Sequence, residues 1–363
     1  MKKMIVILAL SLFWIPSAHA ESPEAAKAPT QVQATITNIQ EETVDENGLR
    51  TYVFEAELDS GARVVARTEE SHPKGLPIRL KVGKRVFLQY LEGDPPSVFY
   101  EGMDRSRALW GILAIFIALS LVIGGKRGFA SLFGLGITLL VLFGYVFPSI
   151  LAGKDVLTVT IIGSIGILAV NMHIAHGLRR ESFLAFISTV LGFLCVWIFA
   201  QLFSLWAGVS GMGSEDVMML AQDMPFPVLT VRLFLAGVVL GAVGVLDDIA
   251  ISQTEIVHEL ASANPALTRK ELFLRSMRIG RHHIASTVNT LVLVYAGASM
   301  PILVLFLYHS GNVHAFLNSE IVTEEIIRTL AGTAALMLTV PIASFIASFG
   351  FPSKTLDTPH DHA

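Results

Sequence analysis

The sequence predicts an α-helical polytopic membrane protein of about seven transmembrane helices, preceded by a small extracytoplasmic all-β domain of OB-like size. Three observations carry that expectation. The 363-residue chain is 53% hydrophobic and only 15% charged, with a mean hydropathy of +0.61, a balance seldom met in soluble domains. From Ala108 onward it is a succession of apolar runs, each close to the roughly 20 residues that cross a hydrocarbon core. Ahead of them, residues 21–104 are the one sizeable polar region, and their short segments alternate in the period-2 manner of half-buried strands.

The elements follow in chain order. Residues 1–20 read as a secretory signal: Lys2 and Lys3 are the basic end, residues 4–14 the apolar run, and Ala18-His19-Ala20 a small-residue cleavage site. That apolar run is too short for a comfortable span, so cleavage after Ala20 is preferred to an uncleaved anchor. "SPEAAKAPT" is a linker. "VQATITNIQ", "RTYVFEAEL", "ARVVART" and "RVFLQYL" are the expected strands, with turns at Glu46-Asn47-Gly48 and Asp59-Ser60-Gly61. Together they form a small barrel or sandwich without catalytic spacing, in which His72 is a loop histidine.

Seven spans are expected, near 108–123, 128–151, 156–176, 183–206, 228–252, 284–308 and 326–348. Lys126 and Arg127 follow the first and Arg179 and Arg180 the third. Arg269, Lys270, Arg275, Arg278 and Arg281 follow the fifth, and the intervening loops are poor in basic residues. The positive-inside rule then places the β domain outside the cytoplasm and the C-terminal tail, 351–363, inside it. The secretory signal agrees with that orientation. Segment 253–282 is polar, broken at Asn264-Pro265 and capped by Thr268. Its Leu272, Met277 and Ile279 suggest an amphipathic helix on the cytoplasmic leaflet, or equally a solvated connecting helix.

Composition also excludes. The net charge of −4 argues against a nucleic-acid partner, and the single cysteine, Cys195, can close no intrachain disulfide. There is no Walker A sequence, no G-x-S-x-G and no H-E-x-x-H. No cofactor, no metal and no enzymatic activity are expected. His173 and His176, three apart, permit a metal pair, but nothing nearby completes a site, and a polar cluster is the preferred reading.

The chemistry-bearing feature is "GAVGVLDDIAISQTEIVHEL", residues 241–260. Counting from Arg232 at one interface, Asp247 lies about 22 Å along a helix rising 1.5 Å per residue, within the bilayer. Gly237, Gly241, Gly244, Asp248, Ser252, Glu255 and Glu259 recur at steps of three and four and share one face. Asp247 is about 100° away from it. The alternative, a span ending at Leu246 with interfacial aspartates, is opposed by apolar Ile249-Ala250-Ile251. Glycines allow a second helix to approach, and carboxylates at bilayer depth mark ion or proton paths. Two adjacent carboxylates in a low dielectric do not readily both ionise, so the pair suits taking a proton from one side and releasing it to the other. The sixth span supplies Ser286, Thr290 and Gly297 on one stripe with Thr287 and Asn289 beside it, either as hydrogen-bonding partners or as ordinary interhelical packing. No lysine or arginine is expected mid-membrane.

"GVLDDIAISQTEIVHEL" followed by "RIGRHHIASTVNTLVLVYAGASMPILVLF" closely resembles the YibE/F family of bacterial multi-pass membrane proteins, over about 105–350. More distantly, "GVLDDIAISQTE" resembles the acidic pair in the transmembrane core of the RND superfamily of proton-driven permeases and export accessory proteins. On that resemblance the last six spans are similar to one RND half, Asp247 and Asp248 stand at the relay, and a homodimer or a dimer with a related chain is implied. The large porter domain and the basic relay partner of that superfamily are missing here. The leading expectation is a transporter or translocation factor coupled to protons through the acidic pair. The alternative is an accessory subunit that binds a partner protein through its extracytoplasmic domain.

Overall fold

The computed structural model describes residues 30–68, 75–77, 79–91, 97–177, 179–224, 230–308 and 312–351. The expected signal, the linker, His72 and most of the tail lie outside them. The chain divides into two compact units, one ending at Gly125 and the other beginning at Lys126.

The first unit contains a closed five-stranded barrel with strand order β1-β2-β3-β5-β4, the Greek-key order of an OB-type barrel. Its strands are β1 (Thr30–Val44), β2 (Arg50–Leu58), β3 (Arg63–Arg67), β4 (Arg85–Leu91) and β5 (Ser97–Met103). β1 closes the barrel. Its first six residues pair with β4, and from Ala34 onward it pairs with β2, with register shifts between Ile36 and Asn38 and between Ile39 and Glu41. Such bulges bend a strand so that one strand can serve both neighbours. Alternation delivers Tyr52, Phe54 and Ala56 from β2, Val86 and Leu88 from β4, and Tyr100 from β5 into one core. Phe54 and Tyr100 meet edge to face at 6.2 Å. The Tyr52 hydroxyl donates to Glu42 at 3.2 Å and accepts the Leu80 N–H at 3.3 Å. Burial pushes the phenol of Tyr52 above its usual range. β5 escaped the sequence reading because Pro95-Pro96 precede it and the chain leads from it directly into a helix.

That helix is α1 (Ser106–Val141), interrupted at Gly125 by φ 53°, ψ −130°. Only glycine adopts such a conformation without strain, so Gly124-Gly125-Lys126-Arg127 separates the first two expected spans. The second unit then carries a π-helical turn (Leu142–Val146), α2 (Phe147–Leu151), α3 (Val156–His176), α4 (Arg180–Ala207), α5 (Glu215–Asp223), α6 (Thr230–Ala263), α7 (Arg269–Ala298), α8 (Met300–Tyr308), α9 (Val313–Leu317) and α10 (Glu320–Gly350). Asp155 caps α3, accepting the Thr158 N–H at 3.0 Å, and ion-pairs with Arg232 at the start of α6. The Thr158 bonds, helped by Arg232, hold the Asp155 carboxyl below the usual carboxylate range.

Among the described residues, five helical stretches are long and apolar enough to cross a membrane, or six if a bent pair counts as one span. The chain is a mostly helical membrane protein. Two expectations change. The sixth span, 284–308, is not straight: α7 and α8 meet at 60°, where Pro301 in the first turn of α8 brings no N–H to the helical ladder. Segment 253–282 is not one element: it is the end of α6 and the start of α7, joined by a turn and a Thr268–Glu271 capping box, and its Ile279 is exposed. Leu272 is fully buried with Val257, Ala261, Leu267 and Ala347, and Met277 packs against the main core, so their apolar surface is spent inside the protein.

The bundle is centred on α4, α6 and α10, which pack on one another, with α3 against α6 and α7 against α10. Small residues set the spacing. Ala331, Ala335, Thr339, Ala343 and Ala347 of α10 recur every four residues and are all fully buried. Gly192 of α4 faces Thr339, and a β-carbon there would run into the threonine hydroxyl. Apolar side chains gain nothing from leaving lipid for a neighbouring helix, so association rests on close contact. The hydroxyls at this seam donate to their own helix: Ser188 to Leu184 O at 2.8 Å, Thr189 to Ala185 O at 3.0 Å and Thr339 to Ala335 O at 2.8 Å. Gly192→Val is expected to destabilise the bundle by about 1–3 kcal/mol through overpacking, measured as a lower thermal midpoint in detergent. Gly136→Val, where a β-carbon meets nothing within 4 Å, is expected to stay within about 0.5 kcal/mol of wild type.

Candidate functional site

The site is built on α6. Its broad apolar face, with Leu235, Val239, Ala242, Val243, Leu246, Ile249 and Ala250, is buried in the main cores. Asp247 stands at the edge of that face and is half-buried. Its Oδ1 is shut off from solvent and has no hydrogen-bond partner among the described residues. Asp248, one residue on, is exposed on the opposite edge. The helix thus puts one carboxylate against packed protein and its neighbour on the outside.

The expected glycine seam lies on that outer side. Gly237, Gly241, Gly244, Asp248, Glu255 and Glu259 are exposed and Ser252 is half-buried. This corrects the packing role expected of the three glycines, because within the described chain no helix closes upon them. A β-carbon at Gly244 would meet nothing within 4 Å. At Gly237 it would meet Arg328 Nη1 at 3.8 Å, and at Gly241 the Tyr295 hydroxyl at 4.0 Å. The physical reason is competition: α6 buries its larger branched residues and turns the glycine stripe outward. Close helix contacts occur instead at Gly192 and at Gly280, whose β-carbon would strike Val340 and Gln253.

α7 runs antiparallel to α6, with Ser276 beside Gln253 and Tyr295 beside Gly241. Thr287 falls between those contacts, near the height of the two aspartates. It lies on the stripe whose Ile284 and Leu291 pack against the main core, and it is itself half-buried. Ser286, Asn289, Thr290 and Gly297 are exposed. Thr287 and Thr290 donate to the carbonyls of His283 and Ser286 at 2.9 and 3.0 Å. Of the polar residues proposed on this helix, therefore, Thr287 alone shares the side turned to the bundle.

His173 keeps its ring nitrogen Nδ1 2.6 Å from Ala169 O and packs edge-on to Phe186, a local arrangement within α3 and its neighbour α4. The side chain of His176 lies outside the described residues. Among those that are described, no three His, Cys, Asp or Glu side chains are grouped to hold a metal ion.

Two polar features escaped the sequence reading. Gln253 is buried and donates to Ser276 O at 3.0 Å and to Ser344 Oγ at 2.7 Å, joining α6, α7 and α10. Its place opposite the glycine stripe was legible in the helical phase, but its two partners come from other helices. Arg328 is the second, near one end of the expected span 326–348. It lies two turns into α10, with Nε 3.3 Å from Glu325 and its guanidinium over the Phe234 ring. Glu325 and Arg328, three apart at the start of the apolar stretch of α10, were the available signal.

The family described as YibE/F-like protein matches residues 112–353. The chain belongs to that family. The matched stretch starts within α1 and ends just past α10, so the YibE/F-like region is the helical one, and the barrel lies outside it. No curated protein and no solved structure matches the chain.

Gln253 offers a direct check on the polar node of this YibE/F-like bundle. Gln253→Leu removes both of its bonds and leaves the buried Ser276 carbonyl with one partner fewer. It is expected to cost about 1–3 kcal/mol, read as a lower thermal midpoint in detergent. Ser344→Ala is expected to cost less, because the Ser344 hydroxyl donates to Val340 O within its own helix.

Proposed function

We propose that this YibE/F-like protein is a membrane transporter or translocation factor whose working step is coupled to proton movement through Asp247 and Asp248. One observation carries the reading: a carboxylate oxygen deep in a long apolar helix is buried without a hydrogen-bond partner among the described residues. Leaving such a group unmet is costly, and in membrane helices the cost is characteristic of ion and proton paths. The neighbouring Asp248, on the exposed stripe with Ser252 and Glu255, gives the pair a second side. Thr287 is half-buried on α7, between the contacts that α7 makes with Gln253 and Gly241.

In this proposal α1, divided at Gly125, supplies two spans and α7–α8 one bent span, for seven in all. On the positive-inside rule the β barrel would lie outside the cytoplasm and the C-terminal end inside it, and family membership favours the cytoplasmic membrane of a bacterium. The glycine stripe, left open by this chain, suits a second copy or a related chain, in keeping with the RND-like arrangement of the acidic pair. A second reading rests on the barrel, which has its own core: an accessory subunit that docks a partner protein there while the aspartates only shape the bundle.

The test is proton flux in proteoliposomes under an imposed pH gradient. Wild type is expected to carry gradient-dependent flux that Asp247→Asn with Asp248→Asn abolishes while the thermal midpoint is kept. Equal flux in both proteins contradicts the coupling role. No flux from wild type, together with stable capture of a partner through the barrel, favours the accessory reading.

A further inference from the structure

The α4–α5 loop is fastened to α10 by two carboxylates. Glu320 Oε1 accepts the Ser210 N–H at 2.7 Å, the Ser210 hydroxyl at 2.6 Å and the Met212 N–H at 3.3 Å. Glu324, buried at 8% exposure, accepts the Gly213 N–H at 2.9 Å. Thr230, the first residue of α6, donates to Ser210 O at 2.6 Å. Gly211 is in the left-handed region at φ 81° and lies against the Thr230 backbone, where a side chain would collide. One short loop therefore ties the ends of α4, α6 and α10 together, and its fastening is a set of donors converging on two acidic groups.

We propose that Glu320 and Glu324 form a proton-operated latch, which holds the α4–α5 loop to α10 while both are charged and releases it when they take up protons. The chemistry is one-sided. Bonds to an ionised acceptor are roughly twice as strong as neutral ones, and the Ser210 and Met212 groups bonded to Glu320 all donate to it. A protonated carboxyl brings a further O–H donor into a ring of donors and weakens the acceptor. Among the described residues, the charged and titratable groups on the elements next to the pair are Glu325 and Arg328 on α10, Glu215 and Asp216 in the first turn of α5, and His314 on α9. Arg232 of α6 is engaged with Asp155, and the last turn of α4 carries no charge. Glu324 thus has two acidic neighbours on its own helix, Glu320 and Glu325, against one cation, Arg328. The latch lies about 25 Å along α6 from Asp247, at 1.5 Å per residue, and goes beyond the coupling proposed there.

Hydrogen exchange of the full chain in lipid nanodiscs tests it, with rates corrected for the intrinsic pH dependence of exchange. Wild-type amides of 210–213 are expected to lose at least about tenfold protection between about pH 7.5 and about pH 3, with Gly213 on Glu324 released before Ser210 and Met212 on Glu320, while the α4 and α10 amides around Gly192 and Thr339 stay protected. Glu320→Gln with Glu324→Gln is expected to show low loop protection at both pH values. Glu320→Gln alone, made in case the double variant does not fold, is expected to lose most of the pH response at Ser210 and Met212. Unchanged wild-type protection across the range overturns the latch. So does a wild-type profile in the variants, or loss of protection through α4 and α10 along with the loop. No transport is read, so the outcome is separate from that of the Asp247 test.

Discussion

Polar groups inside a hydrocarbon layer have no water to turn to, and the helical unit is organised around that constraint. Its solution is mostly local. Serine and threonine hydroxyls at the α4–α10 seam donate to carbonyls one turn back in their own helices, so they stay small, satisfied and able to pack. Alanines and Gly192 then bring the two backbones together without a Cβ between Gly192 and Thr339. Gln253 is the long-range solution, a single amide that spends its donors on two neighbouring helices. Ser164, Asn171, Ser182, Trp197 and Ser204 also bury a side-chain polar atom without a partner among the described residues, and Asp247 is the one carboxylate in that group. Satisfied polar groups explain why the bundle holds, and the unsatisfied acid is where function is sought.

Much of the architecture was legible because it depends on local rules. β2 and β4 coincide with the alternating segments read from the sequence, and α3 coincides with the third apolar run. Thr268 could be placed at a helix start because a capping box needs only four consecutive residues. What could not be read depends on contacts across the fold. The bend between α7 and α8 needs the packing that decides whether Pro301 is absorbed or kinks the chain. Leu272 and Met277 look amphipathic in isolation, and only the tertiary partners show that their apolar sides are covered by protein. β5 has a strand-like sequence but owes its place to β3 and β4.

The candidate site divides in the same way. Helical phase alone placed Gly237, Gly241, Gly244, Asp248, Ser252 and Glu255 on one stripe, and the structure keeps them there. Phase does not say which stripe of a helix faces inward. Because α6 is apolar over most of its circumference, the choice fell to its bulkiest residues, and the glycines went outside. That outcome changes the meaning of the acidic pair: Asp247, off the stripe, is the enclosed carboxylate, and Asp248 is its outward neighbour. Arg328 and Gln253 were hidden for a complementary reason, since each is defined by partners far away in sequence. For a YibE/F-like bundle, the residues of interest thus lie on both sides of α6.

The central claim is that the enclosed Asp247 carboxyl exchanges a proton with its surroundings while the bundle stays folded. Infrared difference spectroscopy of the protein in lipid, stepped in pH and repeated in D2O, reads that group directly. The account predicts a carboxyl C=O band that responds to pH, shifts on deuteration and is missing from Asp247→Asn. Superimposable wild-type and Asp247→Asn spectra across the pH range would contradict it.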